Sequence, residues 1–518
     1  LVAERGTIIE VQASDSMPDG EVIAAVDVGS NSFHMIVGEL RHGQRIIIDR
    51  LRETVRLAEG LSRRGDLSRE ARLRALACLS QFGERLRDMH ASKVRAAGTS
   101  TLRRAREDSA FMAEAERALG HPIEVISGIE EARLIYTGVT HSLPMNDGKR
   151  LVMDIGGGST ELILGEGSRT VALESLHMGC VSLTERFFPA GQITAHGFTK
   201  ARTAARLELR PVKRYFRADG EIEAIGTSGT ILSAERAAAE LGFCDDGNLT
   251  LKALEKLIAE VQKFDNVADV SLRGVSARRA QVWPGGLSIL AELFYALQID
   301  ILRVSDGALR EGLLYDLLGR MRREDARERT VRAMEDRYSV DKEQAERVAT
   351  TSEALRRQCS ELWGLDGDLA QLFLDWSARL HEIGLDISHD GYQRHGAYVA
   401  ENADMPGFPR AEQRLLAFLI GSQRHAVNMR FRSRLPRDWR KPALRLGILL
   451  RLGVLLNRSR SGSDVPIPEL SVDKASLHLR FDARWLQDNP LTAADLKRER
   501  KHLKAAGYAL SFDLSSVQ

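Results

Sequence analysis

Two aspartates each close an apolar run and lead into a loop of small polar residues. Asp27 does so in Ala24-Ala25-Val26-Asp27-Val28-Gly29-Ser30-Asn31-Ser32, and Asp154 does so in Leu151-Val152-Met153-Asp154-Ile155-Gly156-Gly157-Gly158-Ser159-Thr160. A second small-residue loop follows each one, Gly98-Thr99-Ser100-Thr101 and Gly226-Thr227-Ser228-Gly229-Thr230. The aspartate-to-glycine spacing is 71 residues in the first case and 72 in the second. Backbone N–H groups that converge in such loops form concave anion sites. A carboxylate at a strand end can hold Mg²⁺ or set water against a phosphate. The pattern predicts a duplicated domain whose four loops face one cleft.

The elements that must carry these loops follow from hydropathy periodicity. Val22–Val28 and Phe33–Leu40 read as a hairpin around the first loop, with Arg45–Arg50 as a third strand. Ser68 opens an amphipathic helix striped by Leu73, Leu76, Leu79, Phe82 and Leu86. Val94–Ala97 and Ile123–Ile126 are short strands, and Leu151–Ile155, Glu161–Leu164 and Val171–Leu176 repeat the opening plan. Helices are predicted over Ile231–Leu241 and Ala308–Arg323, the latter closing the duplicated unit. Residues 325–460 lose the strand signal and read as all-helical, with Leu369–His381 and Arg414–Ile420 among the helices. Alternation returns at Leu477–Phe481 and Tyr508–Leu514, a tail too small to stand without docking on something larger.

The length, 518 residues, calls for three or four domains. With 74 basic against 72 acidic residues, the near-neutral whole gives no reason to expect nucleic acid as a partner, and where the charge lies matters more than its sum. Cys78, Cys180, Cys244 and Cys359 lie far apart, which argues against a zinc ribbon or disulfide scaffold and fits a reducing, cytoplasmic setting. No apolar run reaches membrane-spanning length. Residues 1–16, which precede Met17, carry too much charge for a secretory signal and read as an upstream extension outside the fold.

Taken together, AAVDVGSNSFHMIV, AAGTSTLRRA, VISGIEEARLIYTGV, LVMDIGGGSTELILGE, IGTSGTI and VSDGALREGLLYD resemble the exopolyphosphatase/guanosine-pentaphosphatase family. That resemblance implies an α/β fold: a duplicated, actin-like (ribonuclease H-like) two-lobed unit with lobes at 20–134 and 135–320. It also implies an all-α HD-like domain at 321–460, a small α/β domain at 461–518, and a homodimer. The implied reaction is hydrolysis of a terminal phosphoanhydride with Mg²⁺ assistance, a monovalent cation being a further candidate cofactor. The matching positions make Glu131 the general base, Arg103 a phosphate contact, and Asp154 and Glu161 the metal carboxylates, with Asp27 acting through water. Ser30, Asn31, Ser32, Gly157, Gly158, Ser159, Thr160, Gly226 and Ser228 would cradle phosphate. Helix capping separates the adjacent glutamates. Ser127 followed by Glu130 reads as a capping box, which gives Glu130 a structural task and leaves Glu131 for the cleft.

Two features of the helical region stand apart. His381-Glu382 occupies the place of the His-Asp metal pair, with His389, Asp390 and His395 nearby. Glutamate is longer than aspartate, so a metal-free scaffold is the favoured reading. Residues 424–445 hold eight basic residues, Arg430, Arg432, Arg434, Arg437, Arg440 and Lys441 among them, against Asp438 alone. They form a candidate path for a polyanion. The expected activity is therefore exopolyphosphatase acting on inorganic polyphosphate. The alternative is a guanosine pentaphosphate (pppGpp) 5′-phosphohydrolase, followed by a polyphosphate:ADP phosphotransferase on the same fold.

Overall fold

The computed structural model describes residues 21–41, 44–62, 64–105, 109–143, 148–218, 222–244, 247–321, 326–460 and 465–513. The chain divides into two units, 1–325 and 326–518.

The first unit holds two sheets of related plan. In one, β1 (Val22–Val28), β2 (Ser32–Arg41), β3 (Gln44–Thr54), β4 (Val94–Gly98) and β5 (Ile123–Val125) run in the order β3-β2-β1-β4-β5. The other is built from β6 (Lys149–Ile155), β7 (Thr160–Glu166), β8 (Arg169–Leu176), β9 (Glu223–Thr227), β10 (Asn248–Thr250) and β11 (Ile301–Val304). Its order is β10-β11-β9-β6-β7-β8. In both sheets an antiparallel hairpin is followed by parallel pairing of the first strand with a later one: β1 with β4, and β6 with β9. The duplication read from the loop spacing is thus present in the topology.

Each inner strand alternates between two cores. Ala24, Val26 and Val28 face one side with the helix Arg69–Leu86, while Ile23 and Ala25 face the other. In the second sheet Leu151, Met153 and Ile155 face outward helices, and Val152 and Ile163 face inward. Between the two inward faces lie two helices, Gly128–Thr140 and Leu309–Met321, whose apolar residues complete a core shared by both lobes. A lobe boundary at 134/135 therefore falls inside one continuous helix. Period-two alternation puts Asp27 in the inward row of Ile23 and Ala25, and Asp154 in that of Val152.

The second unit is a helical bundle, in which Lys342–Trp363 and Arg440–Leu456 are the longest helices described. It carries a small sheet of β12 (Glu469–Asp473), β13 (Ser476–Arg480) and β14 (Ala509–Phe512). Leu470, Leu477, Leu479, Leu503 and Phe512 belong to the same apolar cluster as Val348, Trp363 and Leu449. The small sheet and its helices therefore dock on the bundle as the tail's size requires, and the two share one core. Among the described residues, no helix is long and apolar enough to cross a membrane.

Candidate active site

Register brings the acids of each lobe to matching places. Asp27 pairs across the hairpin with His34, and Asp154 pairs across its own hairpin with Glu161. Directly opposed residues on antiparallel strands share a face, so each lobe offers an aspartate and one partner to the helix Gly128–Thr140. These groups answer to one another electrostatically. Burial, then the Glu131 charge, pushes the Asp27 carboxyl up to about 8, with Asp154 adding to the rise. Burial and Glu131 likewise push Asp154 up to about 7. Glu161, fully enclosed, is raised well above the ordinary carboxylate range by burial, Glu131 and Asp154. Its Oε1 accepts a hydrogen bond from Ser175 Oγ at 2.8 Å. Asp27 Oδ1 is buried with no hydrogen-bond partner.

Glu131 reaches this group from the first turn of its helix. Ser127 caps the helix by accepting from the Glu130 N–H at 3.1 Å. Only this half of the expected capping box matches the reading. The Glu130 carboxylate is held by Arg133 at 2.7 and 2.8 Å, and it is fully buried. Its structural task is an ion pair rather than a return bond to the cap. Glu131 points to the other side of the helix, where Arg103 Nη1 donates to Glu131 Oε2 at 2.6 Å. The same guanidinium also bonds the Ile126 carbonyl at 3.2 Å, which fixes its fork toward the base.

The phosphate-type loops converge at one point. A β-carbon on Gly157 would stand 3.1 Å from Ser30 Cβ and 3.5 Å from Asn31 Cβ. One on Gly158 would stand 2.9 Å from Ser100 Oγ and 3.4 Å from Ser30 Oγ. The glycines are needed because the two lobes' loops touch here, backbone to side chain. Ser30, Ser32 and Ser159 are nearly buried beside them, and Asn31 is half-buried.

The structure gives two members of the expected cradle other tasks. Thr160 Oγ1 donates to the Met178 carbonyl at 2.7 Å, a bond that ties its loop into the fold. Gly226 lies within β9, and a β-carbon there would strike Ile231 Cγ2 at 2.5 Å; packing requires that glycine. Ser228 adopts φ 81° and accepts a hydrogen bond from the Ile155 N–H at 3.3 Å, bracing the Asp154 loop.

A basic group went unread in the sequence. His34 Nδ1 lies 3.1 Å from Arg310 Nη1. Burial, then the charges of Arg310, Arg52 and Arg279, pushes His34 down to about 3, so its ring is neutral near neutral pH. Arg310 also pairs with Glu311 at 2.9 Å and lowers both aspartates' rise. Its signal lay in VSDGALREG, where Arg310 opens the helix that closes the duplicated unit.

In the second unit the two sequence features resolve differently. His381 is buried, its Nδ1 hydrogen-bonds the Ala378 carbonyl at 2.6 Å, and burial lowers its pKa, with Glu382 opposing. Glu382 is paired with Arg460 at 2.5 Å, while His389 and Asp390 are exposed. Among the described residues, no three His, Cys, Asp or Glu side chains are grouped to hold a metal ion. The basic run is not one surface. Arg445 is buried with Nη1 on the Trp363 carbonyl at 2.6 Å, Arg440 Nε donates to the Leu435 carbonyl at 2.9 Å, and Arg434 pairs with Glu401 at 2.5 Å. Arg430, Arg437 and Lys441 are exposed, and Arg432 is half-buried.

Comparison with known proteins gives the family and the fold. Over 497 residues the chain is 40% identical to the guanosine-5′-triphosphate,3′-diphosphate pyrophosphatase of Vibrio cholerae serotype O1, covering 95% of this chain and 98% of that one. A protein of the same name from Aeromonas hydrophila is 38% identical over 492 residues, with 95% and 99% coverage. The crystal structure of an exopolyphosphatase from Cytophaga hutchinsonii superimposes with a TM-score of 0.53 at 24% identity, covering 57% of this chain and 98% of that one, a likeness of fold. Residues 36–321 match the Ppx/GppA phosphatase family and residues 326–500 match its domain III. With its loops, acids and both matched segments in place, this chain belongs to the Ppx/GppA phosphatase family.

Proposed function

We propose that the protein hydrolyses the terminal phosphoanhydride of guanosine pentaphosphate, giving orthophosphate and the nucleotide one phosphate shorter. The carrying observation is the Arg103–Glu131 pair set against three proton-retaining carboxylates, with the His34, Arg52, Arg279 and Arg310 group beside them. Phosphoryl transfer needs in-line placement and charge neutralisation more than covalent chemistry. In this reading Arg103 grips the terminal phosphoryl through its planar fork, and the Gly157–Ser159 and Ser30–Ser32 loops hold its oxygens. Glu131 takes the proton of the attacking water as the bond to the leaving phosphate breaks. The basic group suits a substrate with phosphates at both ends of its ribose, and the Vibrio and Aeromonas relatives bear the name of an enzyme for that substrate.

The donor set fits Mg²⁺. Asp154 and Glu161 are hard oxygen ligands on facing strands, and the partnerless Asp27 Oδ1 offers a further contact through water. Mg²⁺ is bound by one or two carboxylates together with substrate phosphates. Bound there, the ion would supply charge stabilisation to the transferring phosphoryl group.

Inorganic polyphosphate is the second substrate reading. Its support from the basic run is reduced because Arg440 and Arg445 are engaged on carbonyls within the fold and the exposed Arg434 is paired with Glu401. A homodimer and a cytoplasmic location complete the proposal, the latter in line with four cysteines outside disulfides. The test is orthophosphate release with Mg²⁺ from guanosine pentaphosphate and from long-chain polyphosphate, side by side. Faster release from the nucleotide supports the reading, faster release from the polymer replaces it with exopolyphosphatase, and no release from either overturns both.

A further inference from the structure

The helices Gly128–Thr140 and Leu309–Met321 cross antiparallel at unusually short range. A β-carbon on Gly138 would lie 2.1 Å from the Ala308 carbonyl oxygen, and one on Gly312 would lie 1.8 Å from that of Leu134. At this crossing the two backbones themselves touch, flanked by the apolar side chains that both helices give to the shared core. One turn further along, the contact changes character. Arg133 Nη2 donates to Asp316 Oδ1 at 2.5 Å, Arg95 Nη1 donates to Asp316 Oδ2 at 2.5 Å, and Arg320 Nε donates to Asp316 Oδ2 at 3.0 Å. Glu130 and Glu124 complete the group, pairing with Arg133 and Arg95 at 2.7 and 3.1 Å. Three cations and three anions, nearly all buried, tie β4 and β5 to both helices.

Glu131 sits on the same first turn as this group but faces away from it. Positions two apart on a helix are about 200° apart around the axis, so the face gripped through Arg133 is opposite the face presenting Glu131. A side-chain tip about 5–6 Å from the axis moves about 1 Å for each 10° of helix rotation. That displacement would open the 2.6 Å Arg103–Glu131 contact.

We propose that Asp316 is a positioning residue: by holding Arg133 and Arg95 on one carboxylate it locks the rotation of the helix Gly128–Thr140, and so the aim of Glu131. The inference rests on the phosphohydrolase reading above. The test replaces the pair by apolar groups, Asp316→Leu with Arg133→Met. This leaves Arg95 and Arg320 against Glu124 and Glu130, a balanced set, and apolar replacement of buried pairs is often tolerated. The expected result is a folded protein whose kcat for orthophosphate release falls about 10–100-fold, the scale of a 1 Å misplacement, with KM little changed. Its crystal structure should show the Arg103–Glu131 contact widened. A kcat near that of the unsubstituted protein, with the contact intact, overturns the proposal. Should the double variant fail to fold, Asp316→Asn preserves shape. A kcat loss per folded molecule then supports the proposal, and full activity per folded molecule overturns it. If the unsubstituted protein releases no orthophosphate, the phosphohydrolase reading falls, and the crystallographic contact still decides the positioning claim.

Discussion

The two lobes place an aspartate at the same register and then diverge at its cross-strand partner. In the first lobe Asp27 faces His34, and in the second Asp154 faces Glu161. That partner is a histidine among arginines on one side and a glutamate among acids on the other. His34, kept neutral among Arg310, Arg52 and Arg279, belongs to a basic wall. Glu161 and Asp154 make an acidic wall in which burial and the Glu131 charge raise both carboxyls above their ordinary range. The repeated scaffold is common to both, while the charge of the first side comes from three arginines around a neutral His34 and that of the second from its carboxylates.

The sharpest way to break this contrast is to remove the group between the walls. Glu131→Ala is expected to lower kcat for orthophosphate release roughly 10²–10⁴-fold, with substrate affinity largely kept. Glu130→Gln, one residue away, should instead cost stability on the order of 3–5 kcal/mol, because it leaves Arg133 and Arg95 short of a buried partner. Comparing turnover and thermal melts for the two variants separates the roles.

On the acidic wall, Glu161→Gln should reduce Mg²⁺ affinity by at least the 10–100-fold typical of losing an outer-shell partner, read as a shift in the Mg²⁺ dependence of activity. On the basic wall, Arg279→Ala removes one charge-assisted contact, worth about 1.5–3 kcal/mol. It is expected to raise KM for guanosine pentaphosphate about tenfold or more with little change in kcat. Equal effects of both variants on Mg²⁺ dependence would erase the distinction between the walls.

Proton linkage offers a gentler probe. Asp27 and Asp154 hold protons more tightly when folded than when unfolded. Their contribution to stability is therefore full below about pH 4 and is lost as pH rises toward 8. Metal-free protein should melt at falling temperatures from pH 5 to 8, and added Mg²⁺ should recover most of the loss at pH 8. Asp316 carries the opposite sign. Burial alone would raise it, but Arg133 and Arg95 hold it well below the usual range, so its contribution is present at neutral pH and lost in acid. The smallest effect is expected at the exposed end of the basic run. Arg430→Ala with Lys441→Ala should leave guanosine pentaphosphate turnover within about twofold, as surface changes do. A KM increase confined to long polyphosphate would restore the run as a polyanion path.

What was legible in the sequence was local chemistry. Gly-Ser-Asn-Ser and Gly-Gly-Gly-Ser loops declare close backbone approach by themselves, and Ser127 marks a helix start within one residue. Glu131 could be singled out because capping gave its neighbour another task, although that task proved to be an ion pair and not a return bond. Pairings across long sequence distances were hidden. Nothing near His34 announces Arg310, which is 276 residues away. Thr160 and Gly226 also have packing tasks that their types do not announce, with a carbonyl at Met178 and a methyl at Ile231. The basic run misled for a related reason. Arginine stems are apolar enough to bury, and Arg445 lies with its guanidinium 5.5 Å from the Trp363 ring centroid.

The apolar layer shared by the lobes has a consequence for how the duplicated unit can be taken apart. Ile23, Ala25, Ile36 and Ala97 of one half and Val152, Ile163 and Ile225 of the other are covered by the same two helices, one of which closes the unit at its far end. A fragment ending before Leu309 would leave both inward faces partly bare to water. The repeat is therefore visible in the sequence but not separable in the molecule: each half is completed only when the last turn of chain has returned.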